Sequence, residues 1–309
     1  MAILFIIPYH VLDSIFWLNT TVAQAQKYGD VIFVTDGYVG KVRAEGKQLW
    51  IKGFGVGKAR DAGVKYGVKN GYDCMIFLDS HMLIRDDIVK LCNYKIAQPR
   101  VVAVEGGKFH DDGGGVWGDF LGEWDWHWYY IFYSPSRKSI MTTQPSQAIS
   151  LDVAEAVISA NNGWWTQCWY WGKEIFDPTL SATRLGFDVD LVPEVAVAHV
   201  YKEGSPKGWK KRFEMRRIDT QEPWYGIVTP VSPYSFSISY GDAVYALKHY
   251  EEHELPRLRL DPQALYAARM NTEIMQSLRE FNKNAKYTRR QAYEKLAKYL
   301  QGANYILAQ

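Results

Sequence analysis

Short apolar segments rich in β-branched residues alternate with amphipathic segments along most of this chain. The apolar segments, which predict strands, lie at 2–8 ("AILFIIP"), 31–36 ("VIFVTD"), 74–79, 100–107 and 188–202. Helical patterns lie at 14–28, at 58–73 with an end near Gly71, at 151–160 and at 173–185. This alternation predicts an α/β fold with a mostly parallel, Rossmann-like sheet flanked by helices.

The remaining stretches differ in composition and in hydrophobic pattern. Residues 108–145 are rich in glycine and aromatic side chains, which indicates a long loop region over a site. After residue 245 helical patterning takes over, so we expect one domain at 1–245 and a helical C-terminal extension at 246–309. Asp261 as N-cap and Pro262 at the first helical position open one helix that runs to Phe281. A capping box of Thr288 and Gln291 opens another.

Composition excludes several classes of protein. With 309 residues and 47% hydrophobic side chains the chain can build a full core, and a net charge of +2 gives no global argument for nucleic acid or membrane binding. The cysteines (Cys74, Cys92 and Cys168) form no CxxC, so neither a disulfide framework nor a zinc site is indicated, and we expect a reducing, cytoplasmic setting. The N-terminal "MAILFIIPYH" is too short for a membrane span.

A glycine-rich segment at 53–60, "GFGVGKAR", resembles a phosphate-binding loop, but its spacing fits neither of the known motifs. Lys58 is followed by Ala59 where a Walker A loop needs Ser or Thr, and Lys58 also stands where the dinucleotide fingerprint needs its third glycine.

Asp79 and His81 follow a predicted buried strand in "IFLDSHMLI". Residues two apart in extended chain point the same way, and ligands of open α/β sheets bind beyond the carboxyl ends of strands. A carboxylate and an imidazole converging there could share a divalent cation of the Mn²⁺ type. The alternative is that Asp79 caps the following turn and His81 is a polar loop residue.

Several motifs resemble, in their order, the nucleotide-sugar glycosyltransferases of the GT-A fold. These are "VTDG" ending at Gly37, "KARDAG" around Arg60, "LDSH" with Asp79 and His81, Trp124-Asp125-Trp126, "WGKE" ending at Glu174, and His199-Val200-Tyr201-Lys202. They are most similar to the polypeptide N-acetylgalactosaminyltransferases, which carry an Asp-Ser-His metal motif (a DXH motif), a Phe-Asp-Trp segment, Trp-Gly-Gly-Glu-Asn and His-Val-Phe-Arg. The resemblance covers about residues 1–215.

The resemblance implies a metal site and a donor site. His199 would be the third protein ligand beside Asp79 and His81, for Mn²⁺ or Mg²⁺, and its position at the end of another predicted strand brings all three to one sheet edge. The cation would neutralise the diphosphate of a UDP-sugar donor. The residues implied for nucleotide-sugar binding are Pro8, Asp36, Arg60, Asp79, Ser80, Trp171, Tyr201 and Lys202.

The candidate catalytic residues are Glu174 and Asp177. Glu174 would bind donor hydroxyls or orient the acceptor, although a first-turn helix position explains a carboxylate as well. In the similar inverting galactosyltransferases an aspartate base follows this glutamate, and here Ile175 occupies that position. The missing base favours retention of configuration, with Asp177 as an alternative base.

The transferred sugar and the acceptor stay open. Gln147 and Ala148 stand where the family has two glycines, so a hexose and an N-acetylhexosamine are both candidates. Candidate acceptor-binding residues are Trp124, Asp125, Trp126, Lys210, Lys211 and Arg212. The basic run that holds the last three suits a polyanion such as phage DNA with hydroxylated bases, or else forms a lid over the donor. The alternatives are a transferase acting on protein Ser/Thr or on a glycan, and a nucleotide-sugar-binding module without turnover.

Overall fold

A computed structural model describes residues 1–10, 13–35, 41–51, 55–105, 108–111, 136–142, 145–164, 174–200, 233–258 and 260–299. The strands in this part are β1 (Ile3–Tyr9), β2 (Asp30–Thr35), β3 (Lys47–Trp50), β4 (Cys74–Phe77), β5 (Met82–Leu83), β6 (Ile96–Glu105), β7 (Lys108–Asp111), β8 (Lys138–Ser139), β9 (Gln147–Ser150) and β10 (Val189–Val200). The α-helices are α1 (Ile15–Ala25), α2 (Val56–Lys69), α3 (Leu151–Asn161), α4 (Phe176–Leu185), α5 (Pro233–His249), α6 (Pro262–Met270), α7 (Thr272–Asn284) and α8 (Arg289–Tyr299).

All ten of these strands belong to one sheet, in the order β3-β2-β1-β4-β9-β6-β10-β5, with β7 beside β6 and β8 beside β10. Strands β1, β2, β3, β4, β6 and β10 run in one direction, and β9 enters antiparallel between β4 and β6. The carboxyl ends of β1, β4 and β10 therefore meet at the same edge of the sheet. The predicted α/β class and the mostly parallel sheet are confirmed.

The core has one layer on each face of the sheet and a third beside it. Strand side chains such as Phe5 and Ile76 pack with α1 on one face, and Ile6 and Phe77 pack with α2 and α3 on the other. Helix α2 lies close to the sheet, and two glycines without side chains permit this. A Cβ on Gly63 would overlap Ile6, and a Cβ on Gly67 would overlap Met75. This close packing brings the N-terminal half of α2 over the end of β4.

Helices α4 to α8 share a core of their own with β10 and with the two residues that follow β8. It includes Met141, Leu180, Leu191, Tyr245 and Leu278, all buried. The division between residues 245 and 246 falls inside α5. The organisation into two domains with those bounds stays a prediction.

Several local predictions need correction. The helix opened by Asp261 stops at Met270, and Asn271 caps a second helix by accepting from the Ile274 amide at 3.1 Å. The predicted loop at 108–145 contains β7 and β8, which pair with long strands of the sheet. Sequence patterning also missed β3, β5 and β9, which are short, and α5.

A disulfide joins Cys74 and Cys92, against the expectation of free cysteines. Cys74 opens β4, and Cys92 lies in the 3₁₀-helical segment Asp86–Asn93 that packs Ile88 and Leu91 onto the sheet. The pairing was invisible in sequence because the spacing of 18 residues matches no local motif. It also removes the argument from cysteine usage for a reducing compartment.

Candidate metal and nucleotide-sugar site

One carboxylate and two imidazoles converge at the carboxyl edge of the sheet. Asp79, His81 and His199 each offer a ligand atom, and these atoms lie within 4.8 Å of one another. The two Nε2 atoms of His81 and His199 are 2.8 Å apart, and His199 Nε2 lies 3.6 Å from Asp79 Oδ2. The structure thus brings together the three residues that the sequence predicted as metal ligands.

The backbone explains why these residues meet. Asp79 lies two residues beyond the end of β4, and His81 immediately precedes β5. Strand β5 pairs with the end of β10, so that Met82 stands opposite His199, and the Val200 amide donates to the His81 carbonyl at 3.1 Å. The ligand side chains are therefore fixed by sheet hydrogen bonds rather than by a free loop.

The electrostatic surroundings favour a neutral His199. Burial lowers the pKa of His199 to about 4, and His81 lowers it further while the Asp79 carboxylate opposes the shift. An imidazole that is neutral at neutral pH keeps a lone pair for a metal ion. One oxygen and two nitrogen donors form a ligand set that suits Mn²⁺ and other divalent transition metals, so the residues present fit the implied cation.

Arg60 adds a buried positive charge beside this cluster. Its side chain is about 2% exposed, its Nη2 lies 3.3 Å from Asp79 Oδ1, and its guanidinium lies over the Phe77 ring. Within the described residues, the buried Nε and Nη1 atoms of Arg60 have no hydrogen-bond partner. Buried donors are rarely left unpaired, and the three N–H bonds of these nitrogens suit an oxygen-rich ligand.

Pro8, near the end of β1, and Gln147 and Ala148, at the start of β9, lie near the same edge of the sheet. Pro8 pairs with Val34 in the parallel ladder near the end of β1. Gln147 is buried opposite Phe77, and its Oε1 accepts from the Thr142 hydroxyl, while its Nε2 has no partner among the described residues. Ala148 is buried opposite Ile76.

The two candidate catalytic carboxylates lie at the start of α4. Glu174 is buried in the turn before the helix. The Asp177 carboxylate is also buried and accepts from Lys248 Nζ at 2.9 Å, with His249 Nε2 at 2.8 Å from the same oxygen. Lys248 further donates to Asn161 Oδ1 at 3.0 Å. These contacts make Asp177 the partner of two side chains from α5, and its role as a general base stays a prediction.

Lys248 and His249 were not predicted from the sequence. Two adjacent basic residues near a helix end are ordinarily exposed, and nothing in the sequence indicates that Lys248 is buried against Asp177, 71 residues away. The other predicted site residues lie outside the described part of the chain. They are Asp36, Trp171, Tyr201 and Lys202 for the nucleotide sugar, and Trp124, Asp125, Trp126, Lys210, Lys211 and Arg212 for the acceptor.

The sheet order, the flanking helices and the ligand cluster at the carboxyl edge define a GT-A fold. A solved structure of GalNAc-T7 with UDP, GalNAc and Mn²⁺ is similar over 96% of this chain, with a TM-score of 0.64 and 16% sequence identity. The chain spans 57% of the GalNAc-T7 chain, and at this identity the likeness shows the fold alone. A second solved structure, A197 from STIV, covers 66% of this chain and 87% of its own with a TM-score of 0.39 and 12% identity.

No protein-family model matches the sequence, and no curated protein matches it. Within the described residues, none of the helices has the length and apolar character needed to cross a membrane.

Proposed function

We propose that this protein is a divalent-metal-dependent glycosyltransferase that uses a UDP-sugar donor. The observation that carries the proposal is the Asp79, His81 and His199 cluster at the carboxyl edge of a GT-A sheet. GalNAc-T7, the similar solved structure, was crystallised with UDP, GalNAc and Mn²⁺. Asp79, His81 and His199 would hold the cation, which, when bound, supplies charge neutralisation for the diphosphate leaving group.

The protein's own side chains would do the rest of the binding. Arg60 would donate from Nε and Nη1 to oxygens of the nucleotide, since the contact of Nη2 with Asp79 already fixes the guanidinium. The buried Glu174 carboxylate would accept from sugar hydroxyls or orient the acceptor. Pro8, Asp36, Trp171, Tyr201 and Lys202 complete the proposed donor site.

Retention of configuration is the stereochemical part of the proposal. Ile175 stands where the similar inverting galactosyltransferases carry their aspartate base, and Asp177 already accepts from Lys248. With neither available to deprotonate an acceptor, the acceptor hydroxyl would pass its proton to the departing phosphate on the same face of the sugar. NMR of the anomeric proton tests this, since an α-linked donor should give an α-linked product.

The decisive experiment measures UDP release from UDP-glucose, UDP-galactose and UDP-GalNAc with Mn²⁺ and with EDTA. We expect metal-dependent release that His81→Ala and His199→Ala each reduce by orders of magnitude. His253→Ala, which changes an exposed histidine, is the matched control and should leave release unchanged. Turnover that persists fully in EDTA would overturn the metal assignment. Mn²⁺-dependent UDP binding without release from any donor would instead identify a binding module.

The acceptor proposal rests on the basic run that includes Lys210, Lys211 and Arg212, interleaved with Trp209 and Phe213. Such a run suits the phosphates and bases of DNA that carries hydroxylated bases. Binding of a hydroxymethylated oligonucleotide should weaken steeply with salt, because each phosphate contact releases counterions. If the run is a donor lid, the unsubstituted protein should not bind the oligonucleotide. Removing the charges of the run should then weaken UDP-sugar binding.

A further inference from the structure

A hydrogen-bonded chain with the buried Ser80 at its centre lies behind His81, on the side of the ring that faces away from His199. The Ser80 hydroxyl lies 3.1 Å from Asp13 Oδ2 and 3.4 Å from His81 Nδ1. Ser80 is about 1% exposed. The Nε2 atom of His81 faces the opposite way and lies 2.8 Å from His199 Nε2. The two nitrogens of one imidazole are thus divided between the Asp13 carboxylate, through Ser80, and the cluster.

Local contacts fix both ends of this chain. The His10 amide donates to the same Asp13 oxygen at 3.3 Å, and the Asp13 amide donates to the His10 carbonyl at 2.7 Å. The Thr21 hydroxyl lies 3.3 Å and 2.8 Å from the carbonyls of Ser80 and Met82, the residues on either side of His81. Asp13 and helix α1 are therefore both attached to the turn that carries Asp79 and His81.

Donor and acceptor chemistry gives this chain a direction. An ionised carboxylate only accepts, so the Ser80 O–H must donate to Asp13. The Ser80 oxygen is then left as an acceptor, and the neutral His81 ring must carry its proton on Nδ1 to donate to it. The lone pair of Nε2 then faces the cluster, where a metal ion needs it.

We propose that Asp13 and Ser80 are positioning residues that hold His81 in the Nδ1–H tautomer and thereby raise the affinity of the site for a divalent cation. This inference rests on the proposed function for its metal. It assigns the Ser80 hydroxyl to orienting His81 from behind, whereas the sequence placed Ser80 in the nucleotide-sugar site.

Two readouts on the full chain without UDP-sugar test the proposal. Long-range ¹H–¹⁵N NMR on histidine-labelled apo protein should show His81 protonated at Nδ1, and Ser80→Ala should abolish that preference. Mn²⁺ titration followed by electron paramagnetic resonance should show a loss of affinity of about 10- to 100-fold in Ser80→Ala and in Asp13→Asn, the range expected for partners of metal-binding histidines. The double variant should lose no more than the single ones, because both act through one chain.

Asp86→Asn is the matched control, since Asp86 also accepts from a hydroxyl, that of Tyr28, and lies six residues beyond Ser80. It should leave the tautomer and Mn²⁺ affinity unchanged. Ser80→Ala with unchanged Mn²⁺ affinity and an unchanged His81 tautomer would overturn the proposal, even if Asp13→Asn fails to fold. If the parent protein binds no Mn²⁺, the metal part of the proposed function fails, while the tautomer in the apo protein still decides whether the chain orients His81.

Discussion

His249 is a fully buried titratable side chain beneath the candidate catalytic helix. Burial lowers its pKa to about 3, assisted by Lys248 and Arg184, while the hydrogen bond to Asp177 opposes the shift. Its unfolded pKa is about 6.5. Between these values the unfolded chain binds a proton that the folded protein does not, so this contribution to stability is fully present above pH 6.5 and is lost as pH falls toward 3.

We therefore expect the free energy of unfolding to decrease on acidification below about pH 6.5, with part of that slope due to His249. Urea denaturation of the wild type and of His249→Gln from pH 7 to pH 4 measures it, and the variant should show the shallower dependence. His253→Gln, at an exposed position, should keep the wild-type slope. Equal slopes in the wild type and His249→Gln would contradict the assignment.

Asp177→Asn separates a structural role from a catalytic one. Lys248 is fully buried, so removing the negative charge of its partner should destabilise the fold by about 3 kcal/mol, as for other broken buried pairs. The kcat of the remaining folded protein should stay near that of the wild type. A large fall in kcat with unchanged stability would make Asp177 the base and would favour inversion.

Asp188→Asn provides the comparison for that variant. Asp188 also accepts from a lysine, Lys295, and from Tyr299, but its side chain is 44% exposed. Exposed pairs contribute about 0–1 kcal/mol, so this variant should change stability little.

At the scale of elements, the disulfide ties the first residue of β4 to the 3₁₀-helical segment, and the chain between them carries Asp79 and His81. Closing a loop of this length lowers the conformational entropy of the unfolded chain, and the loop-entropy relation puts the resulting stabilisation of the folded protein at about 3 kcal/mol. We expect the thermal midpoint to fall by several degrees in dithiothreitol or in Cys92→Ser. Superimposable melts with and without reductant would show that the two thiols are not bonded in solution.

At the scale of the whole molecule, the C-terminal helices complete a core that begins in the α/β part. Phe176, Leu180 and Leu191 pack with Tyr245, Ala264 and Leu296 in one cluster. Deleting residues 246–309 would expose that face and remove the partners of Asp177. We expect a chain ending at 245 to lose cooperative thermal unfolding and to bind a hydrophobic dye, whereas a sharp melt would establish two independent domains.

Features that depend on residues close along the chain could be predicted from the sequence. The order of the five longer predicted strands and of helices α1 to α4 follows from local hydrophobic period. The Thr288 and Gln291 capping box also forms as predicted, with Thr288 N to Gln291 Oε1 at 2.9 Å. The convergence of Asp79 and His81 was also expected, but the structure achieves it with a turn, in which the Met82 amide donates to the Asp79 carbonyl at 3.2 Å, rather than with extended chain. A resemblance of motifs, rather than any local pattern, added His199.

Contacts between side chains that are distant along the chain became known only from the packing of the folded protein. Helix α6 ends at Met270, where the sequence predicted that it continues. The Asn271 side-chain Nδ2 donates to the Tyr240 hydroxyl of α5 at 3.1 Å. The Cys74–Cys92 bond, the pairing of Asp177 with Lys248 and the contact of Asp13 with Ser80 join residues 18, 71 and 67 positions apart. Such contacts depend on how whole elements pack against one another, and periodicity and capping, which act over a few residues, carry no information about them.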